Sequence, residues 1–344
     1  MLNAVVVVGV LVAAVEGADA PASWALELQP QVALWVEEDT NPKRLPEGPD
    51  AKLAPDGLLR FAASVGVDGH APGKVLRLDA AVGGKLFLAS STERMVVAQT
   101  RAVAAASLAR SWTLASTASA KLRGQVSGER SYGSFRGDVV VEDGLVPGLA
   151  LRGGLEGASF LAFDNALFSF AGGGAVLGAR ASHDKERADL VVDVGVRGFP
   201  FAPPLGAQRR LDVPLVAGLS FSSARSLYLQ AGYTLVRNGS NVDGEGYTRH
   251  RVQITAGVRL PALVTATTQL ALQLTAYDDG ISAAQSYFVA DDDETQNLAE
   301  IAVQRPLFGG LSVEGRLGFL SNELSNESAR FTRATAALGL RADL

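Results

Sequence analysis

The chain has 344 residues, 47% of them hydrophobic, a net charge of −5 with acidic and basic side chains interspersed, and no cysteine. This excludes a disulfide framework, thiolate metal sites and catalytic thiols, and leaves no basic patch of the kind nucleic acid requires. The length fits two soluble domains or one long sheet closed on itself.

Residues 1–22, MLNAVVVVGVLVAAVEGADAPA, form an apolar run that ends in small residues and is too short to cross a bilayer as a helix. The run has the length of a signal h-region, so 1–22 is expected to be a cleaved export signal, cut near Ala20 or Ala22. The first basic residue is Lys43, so the usual positive n-region is missing, which suggests that the natural start lies upstream. A buried strand or helix of a soluble protein is the plainer reading of the same run. No later stretch reaches the apolar run of about eighteen residues that a membrane helix needs.

From Trp24 onward the dominant signal is alternation of apolar and polar residues in segments of about ten, the period of a strand with a different environment on each face. In the first segment Trp24, Leu26, Leu28, Val32, Leu34 and Val36 share one face, with Glu27, Gln29, Gln31 and Glu37 on the other. Between Tyr247 and Leu260, His250, Val252, Ile254, Ala256 and Val258 oppose Arg249, Arg251, Gln253, Thr255 and Arg259. The last segment sets Ala334, Ala336, Leu338, Leu340 and Leu344 against Arg333, Thr335, Gly339, Arg341 and Asp343. One face wants lipid and the other water.

This template gives about sixteen strands, starting near residues 24, 58, 75, 95, 110, 132, 148, 167, 187, 212, 226, 247, 264, 297, 311 and 330. Weak alternation around 95–106 and 160–178 keeps about fourteen as the runner-up. Short connections such as HAPG, DGLVP, SSAR and PALV follow even-numbered strands. Longer ones, Glu38 to Asp56, Gly198 to Leu211, Asn238 to Gly246 and Asp278 to Gln296, follow odd-numbered strands. Ala89 to Glu93 departs from that rule by being short. A soluble two-sheet sandwich also alternates, but it needs a dry core between its apolar faces. The signal, strand number, loop asymmetry and a strand at the C-terminus favour an all-β, closed antiparallel transmembrane β-barrel over residues 23–344, with short periplasmic turns and longer extracellular loops.

The segments YTRHRVQITAGVRLP from Tyr247, DDDETQNLAEIAVQRPL from Asp291, FTRATAALGLRADL from Phe331 and EEDTNPKR from Glu37 resemble the outer-membrane barrel proteins common in myxobacteria and related Gram-negative bacteria. The resemblance implies a bacterial outer-membrane location, contact with the lipid bilayer and insertion by the barrel-assembly machinery. That machinery commonly meets an aromatic last residue in this group, where this chain has Leu344.

The inward faces carry mixed charge: Arg77, Asp79, Lys121, Arg123, Arg136, Asp138, Arg152, Glu156, Asp189, Asp193, Arg197, Arg249, Arg251, Glu314 and Arg316. Such charges either line an aqueous pore or pair across the lumen and close it. Trp24, Trp112, Tyr233 and Tyr247 are expected in the interface belts. Catalysis by a nucleophile and base is disfavoured. His70 and His183 fall in predicted periplasmic turns, His250 falls on the apolar face beside Tyr247, and no G-x-S-x-G elbow occurs. Asp291, Asp292 and Asp293 supply hard oxygens for a calcium ion but also fit a solvated acidic loop, and no EF-hand spacing is present. The glycines from Gly172 lack a phosphate-loop register and suit strand bending or internal room.

The expected function is a porin-like channel for passive passage of small hydrophilic solutes, with no enzymatic activity, no cofactor and no nucleic-acid partner. The alternative is a non-conducting barrel that anchors or passes components of an envelope machine for polysaccharide export, secretion or gliding, with other envelope proteins as partners.

Overall fold

The structure is a computed structural model that describes residues 24–43, 54–109, 111–128, 130–201, 209–278, 297–321 and 331–344. The expected signal segment and the calcium candidates Asp291, Asp292 and Asp293 lie outside the described residues.

Sixteen strands follow one another: β1 (Ala25–Asp39), β2 (Asp56–Ala71), β3 (Lys74–Phe87), β4 (Met95–Ser107), β5 (Trp112–Gln125), β6 (Tyr132–Val146), β7 (Leu149–Ala162) and β8 (Phe170–His183). The second half comprises β9 (Glu186–Gly198), β10 (Leu211–Ala224), β11 (Leu227–Ser240), β12 (Tyr247–Arg259), β13 (Thr265–Tyr277), β14 (Asn297–Phe308), β15 (Leu311–Ser321) and β16 (Thr332–Asp343). Each pairs antiparallel with its chain neighbours, and β1 closes on β16 from Gln31 opposite Asp343 to Asp39 opposite Thr335. Closure removes every sheet edge, which is what allows a sheet to sit in hydrocarbon with its backbone satisfied. The fourteen-strand count is overturned, because the weakly alternating regions each hold full strands.

The period of two puts one apolar set outward on every strand. On β1, Leu26, Leu28 and Val36 are 64–68% exposed, while Trp35, Glu37 and Asp39 between and beyond them are buried. Withholding such a side chain from an apolar phase forfeits on the order of 1–2 kcal/mol, so this face needs lipid. The dry core that a soluble sandwich requires is absent among the described residues, where the one buried hydrophobic cluster is Tyr132, Phe160 and Ala162 with Phe168 and Phe170 packed on it. The chain therefore forms a transmembrane barrel.

Connections after even strands are tight: Pro72–Gly73, Pro147–Gly148, Asp184–Lys185 and Gly309–Gly310. Proline presets the first turn position, and the following glycine takes the positive φ of the second, +67° at Gly73 and +86° at Gly148. The strands run further than the turn motifs alone suggest, so His70, next to last in β2, and His183, the last residue of β8, are strand residues rather than turn residues. Asn238, expected in a loop, likewise belongs to β11. At the other end the connections are longer. The link after β3 carries a 3-10 turn at Ser91–Glu93, and the link after β7 another at Ala166–Phe168. We refer to the two rims as the turn end and the long-loop end.

Candidate pore lumen

The residues that alternate with the outward set converge on the barrel axis. A cavity of about 910 Å³ lies there, lined from Gln29 and Gln31 on β1 through β3–β10 to Arg249, Arg251 and Gln273. A second, of about 380 Å³, lies beside it between Asp189, Ser220, Gln230 and Thr255.

Of the side chains expected to face inward, Arg77, Lys121, Arg136, Asp193, Arg197, Arg249 and Arg251 line the larger cavity, as do Asp79 and Glu156, and Asp189 borders the smaller. Arg123 is packed against the wall with Nη2 3.4 Å from Gln125 Oε1. Arg152 lies on the inward face of β7, under β8 at Gly178. Glu314 and Arg316 pair on β15, and Arg316 stands 4.7 Å over the ring of Trp35.

The belt assignment of Tyr247 is corrected. It is buried, lines the cavity, meets Tyr277 edge-on at 5.8 Å and lies under Arg249 at 5.0 Å. Tyr247 shares the parity of Arg249 and Arg251, so the period itself places it inward; aromatic character near a rim was the misleading cue. Trp24, Trp112 and Tyr233 are exposed on the outer wall. His250 is also on the outer wall, its Nδ1 2.8 Å from the Tyr233 hydroxyl. Among the described residues no group of three His, Cys, Asp or Glu is placed to hold a metal.

Three charge clusters brace the wall. At the seam, Trp35 Nε1 donates to Glu314 at 3.2 Å, Arg60 Nε lies 2.7 Å from Glu37, and the fully buried Asp39 pairs with buried Arg333 while accepting from the Asn41 amide at 3.0 Å. On β6–β9, Arg136 holds Glu156 at 2.7 Å and Asp193 at 3.6 Å, and Arg180 bridges Glu142 at 2.7 Å and Asp189 at 2.9 Å. At the long-loop end, Arg210 pairs with Asp212 at 2.8 Å and Glu245 at 3.0 Å, stacked 4.0 Å over Phe199. Burial holds the Glu245 carboxyl above its ordinary range, with Asp212 adding to the rise and Arg210 opposing it. Arg60–Glu37, Arg333–Asp39, Arg136–Glu156 and Arg180–Asp189 cross adjacent strands, as inward ladders of opposite charge do, whereas Arg180–Glu142 and Arg136–Asp193 reach past at least one strand.

Sequence reasoning missed Arg101, Arg60, Lys85 and Trp35, all inward. Arg101 sits on β4 between the outward Thr100 and Ala102, where alanines give almost no contrast between faces. Extending the period from Arg77 and Asp79 to Lys85 would have found the latter.

No family model matches the chain, and no curated protein matches it. Among solved structures, it is similar to the Salmonella typhi OmpF complex with daunomycin at 11% identity, covering 93% of this chain and 97% of that one, with a TM-score of 0.48. An anion-selective porin from Comamonas acidovorans matches at 10% identity over 94% and 100% of the two chains, TM-score 0.44. Pseudomonas aeruginosa OprD matches at 9% identity over 95% and 99%, TM-score 0.43.

Proposed function

We propose that the protein is a porin-like channel of the bacterial outer membrane through which small hydrophilic solutes pass passively. The observation that carries this reading is the polar, charged cavity of about 910 Å³ inside a closed wall whose outer face is apolar. A sixteen-strand barrel is wide enough for water and solutes once its inward side chains are polar. In this reading the turn end faces the periplasm and the long-loop end the outside. The lipid bilayer solvates the outer wall, and the barrel-assembly machinery inserts the chain, with Leu344 standing where an aromatic end is common.

The lining groups Arg77, Lys121, Arg136, Asp193, Arg197, Arg249 and Arg251 would set which solutes enter. Single-channel recording of the refolded mature protein in a planar bilayer tests the reading. Stable open steps whose ion preference shifts in Arg249→Gln and Arg251→Gln are the expected result. A folded barrel that never conducts would refute the channel and favour an anchoring role in an envelope machine.

A further inference from the structure

We propose that the channel prefers small anions, carboxylate- and phosphate-bearing solutes among them, and that Arg101 and Arg197 draw them through. This rests on the channel reading above. Among the described residues the larger cavity is lined by seven basic side chains against three acidic ones, in a chain whose net charge is −5. The excess of positive charge is therefore local to this cavity and is not a property of the composition.

The strand registers show how that charge is arranged. Starting on β1, Gln29 stands opposite Gly66, Gly66 opposite Asp79, Asp79 opposite Arg101, Arg101 opposite Ser119 and Ser119 opposite Arg136. The same line continues through Ala158, Gly172, Arg197 and Asp212 to Ser240. Gln29 lies in the turn-end third of β1, whereas Asp212 and Ser240 lie at the long-loop ends of β10 and β11. Strands in such a barrel are tilted by about 35–45°, so a line of direct cross-strand neighbours climbs the inner wall from one mouth toward the other. It carries arginine on β4, β6 and β9. At roughly 4.8 Å per strand, these backbone positions are about 10 and 14 Å apart.

Two of the three are not neutralised. Asp79, directly across from Arg101, is already held in both oxygens by Arg77, at 2.9 and 3.2 Å. Asp212, directly across from Arg197, is held by Arg210 at 3.1 and 2.8 Å and by Asn238 at 3.1 Å. Asp79 and Asp212 are thus engaged by other donors, and neither accepts from the guanidinium that stands opposite it. Arg101 accordingly makes no hydrogen bond or ion pair to any described residue, and the contact of Arg197 is with the face of Phe170 at 5.0 Å. Arg136 between them is paired with Glu156. An uncommitted guanidinium keeps both its field and its planar fork of donors, which matches carboxylate and phosphate oxygens. In a low-dielectric wall such charges raise the local anion concentration.

Zero-current potentials in a KCl gradient test this. The wild-type channel is expected to favour chloride over potassium by about threefold or more at low salt, and less at about 1 M, where the screening length falls to about 3 Å. The double variant Arg101→Gln with Arg197→Gln should bring the ratio close to one. Arg237→Gln, on the outer wall, should leave it unchanged, and heat-dependent gel migration verifies that each variant is folded. Potassium acetate and potassium phosphate in place of chloride separate carboxylate from phosphate passage. An open channel that favours potassium, or whose preference ignores the double variant, overturns the anion proposal and leaves the channel standing. A barrel closed to all ions overturns both.

Discussion

Asp39 and Arg333 meet across 294 positions of sequence, each almost wholly buried, at the junction of the first and last strands. A buried pair has already lost its water, so removing one partner leaves an uncompensated charge, and Arg333→Ala should cost about 3 kcal/mol. Urea titration of the refolded barrel followed by gel migration checks that figure. Glu245 behaves in the opposite sense. Its carboxyl is held above the ordinary 4.5 chiefly by burial, so its contribution to stability is present below that value and is lost as pH rises through the raised one. Glu245→Gln should therefore melt above the wild type at neutral pH and match it at acid pH. Asp278 is held below its ordinary 3.8 by the Arg237 hydrogen bond, so its contribution is present above that value and fades as pH falls through the lowered one. That pair is half-exposed and screened, so the melting curves should be governed by Glu245.

At the scale of strands, the glycines of β7 and β8 show where the wall is tightest. A Cβ at Gly154 would strike the Val139 carbonyl oxygen and come 2.7 Å from Val140 Cα, and one at Gly174 would come 2.7 Å from Gly195 Cα. These neighbours are backbone, so relief requires the strands to move apart. Gly154→Val should cost about 1–3 kcal/mol in the same urea titration, whereas Gly315→Ala, with nothing within 4 Å, should stay within about 0.5 kcal/mol of wild type. The run of glycines from Gly172 was legible as room or bending. Which of them are spaced by a neighbouring backbone was not, because that depends on how the adjacent strand coils. Strand faces were legible wherever large apolar residues alternate with charges, as on β1, β12 and β16. On β4, where alanine occupies the outer face, Arg101 escaped notice for want of contrast.

For the whole barrel, the sidedness of the three tryptophans gives a direct readout. Trp24 and Trp112 are exposed on the outer wall near the turn end, while Trp35 is buried inside against Glu314 and Arg316. In single-tryptophan variants reconstituted in lipid brominated on its acyl chains, Trp112 fluorescence should be quenched strongly and Trp35 fluorescence spared. Equal quenching of both would contradict the closed wall.

The sequence by itself determined the strands, their faces and the two kinds of connection, because a period of two and the chemistry of turn residues are local properties that need no knowledge of neighbours. It also placed most of the inward charge, including Arg136, Arg197, Arg249 and Arg251. Pairs two residues apart, such as Arg77–Asp79 and Arg210–Asp212, follow from that same local period, whereas which acid an arginine meets on another strand was decided by the tertiary structure alone. Register between strands fixes that choice: it sets Asp79 between Arg77 and Arg101, Asp212 between Arg210 and Arg197, and joins Asp39 to Arg333 only once the sheet has closed. The net field of the lumen is what remains after those pairings, so it follows from geometry and not from the count of charges along the chain.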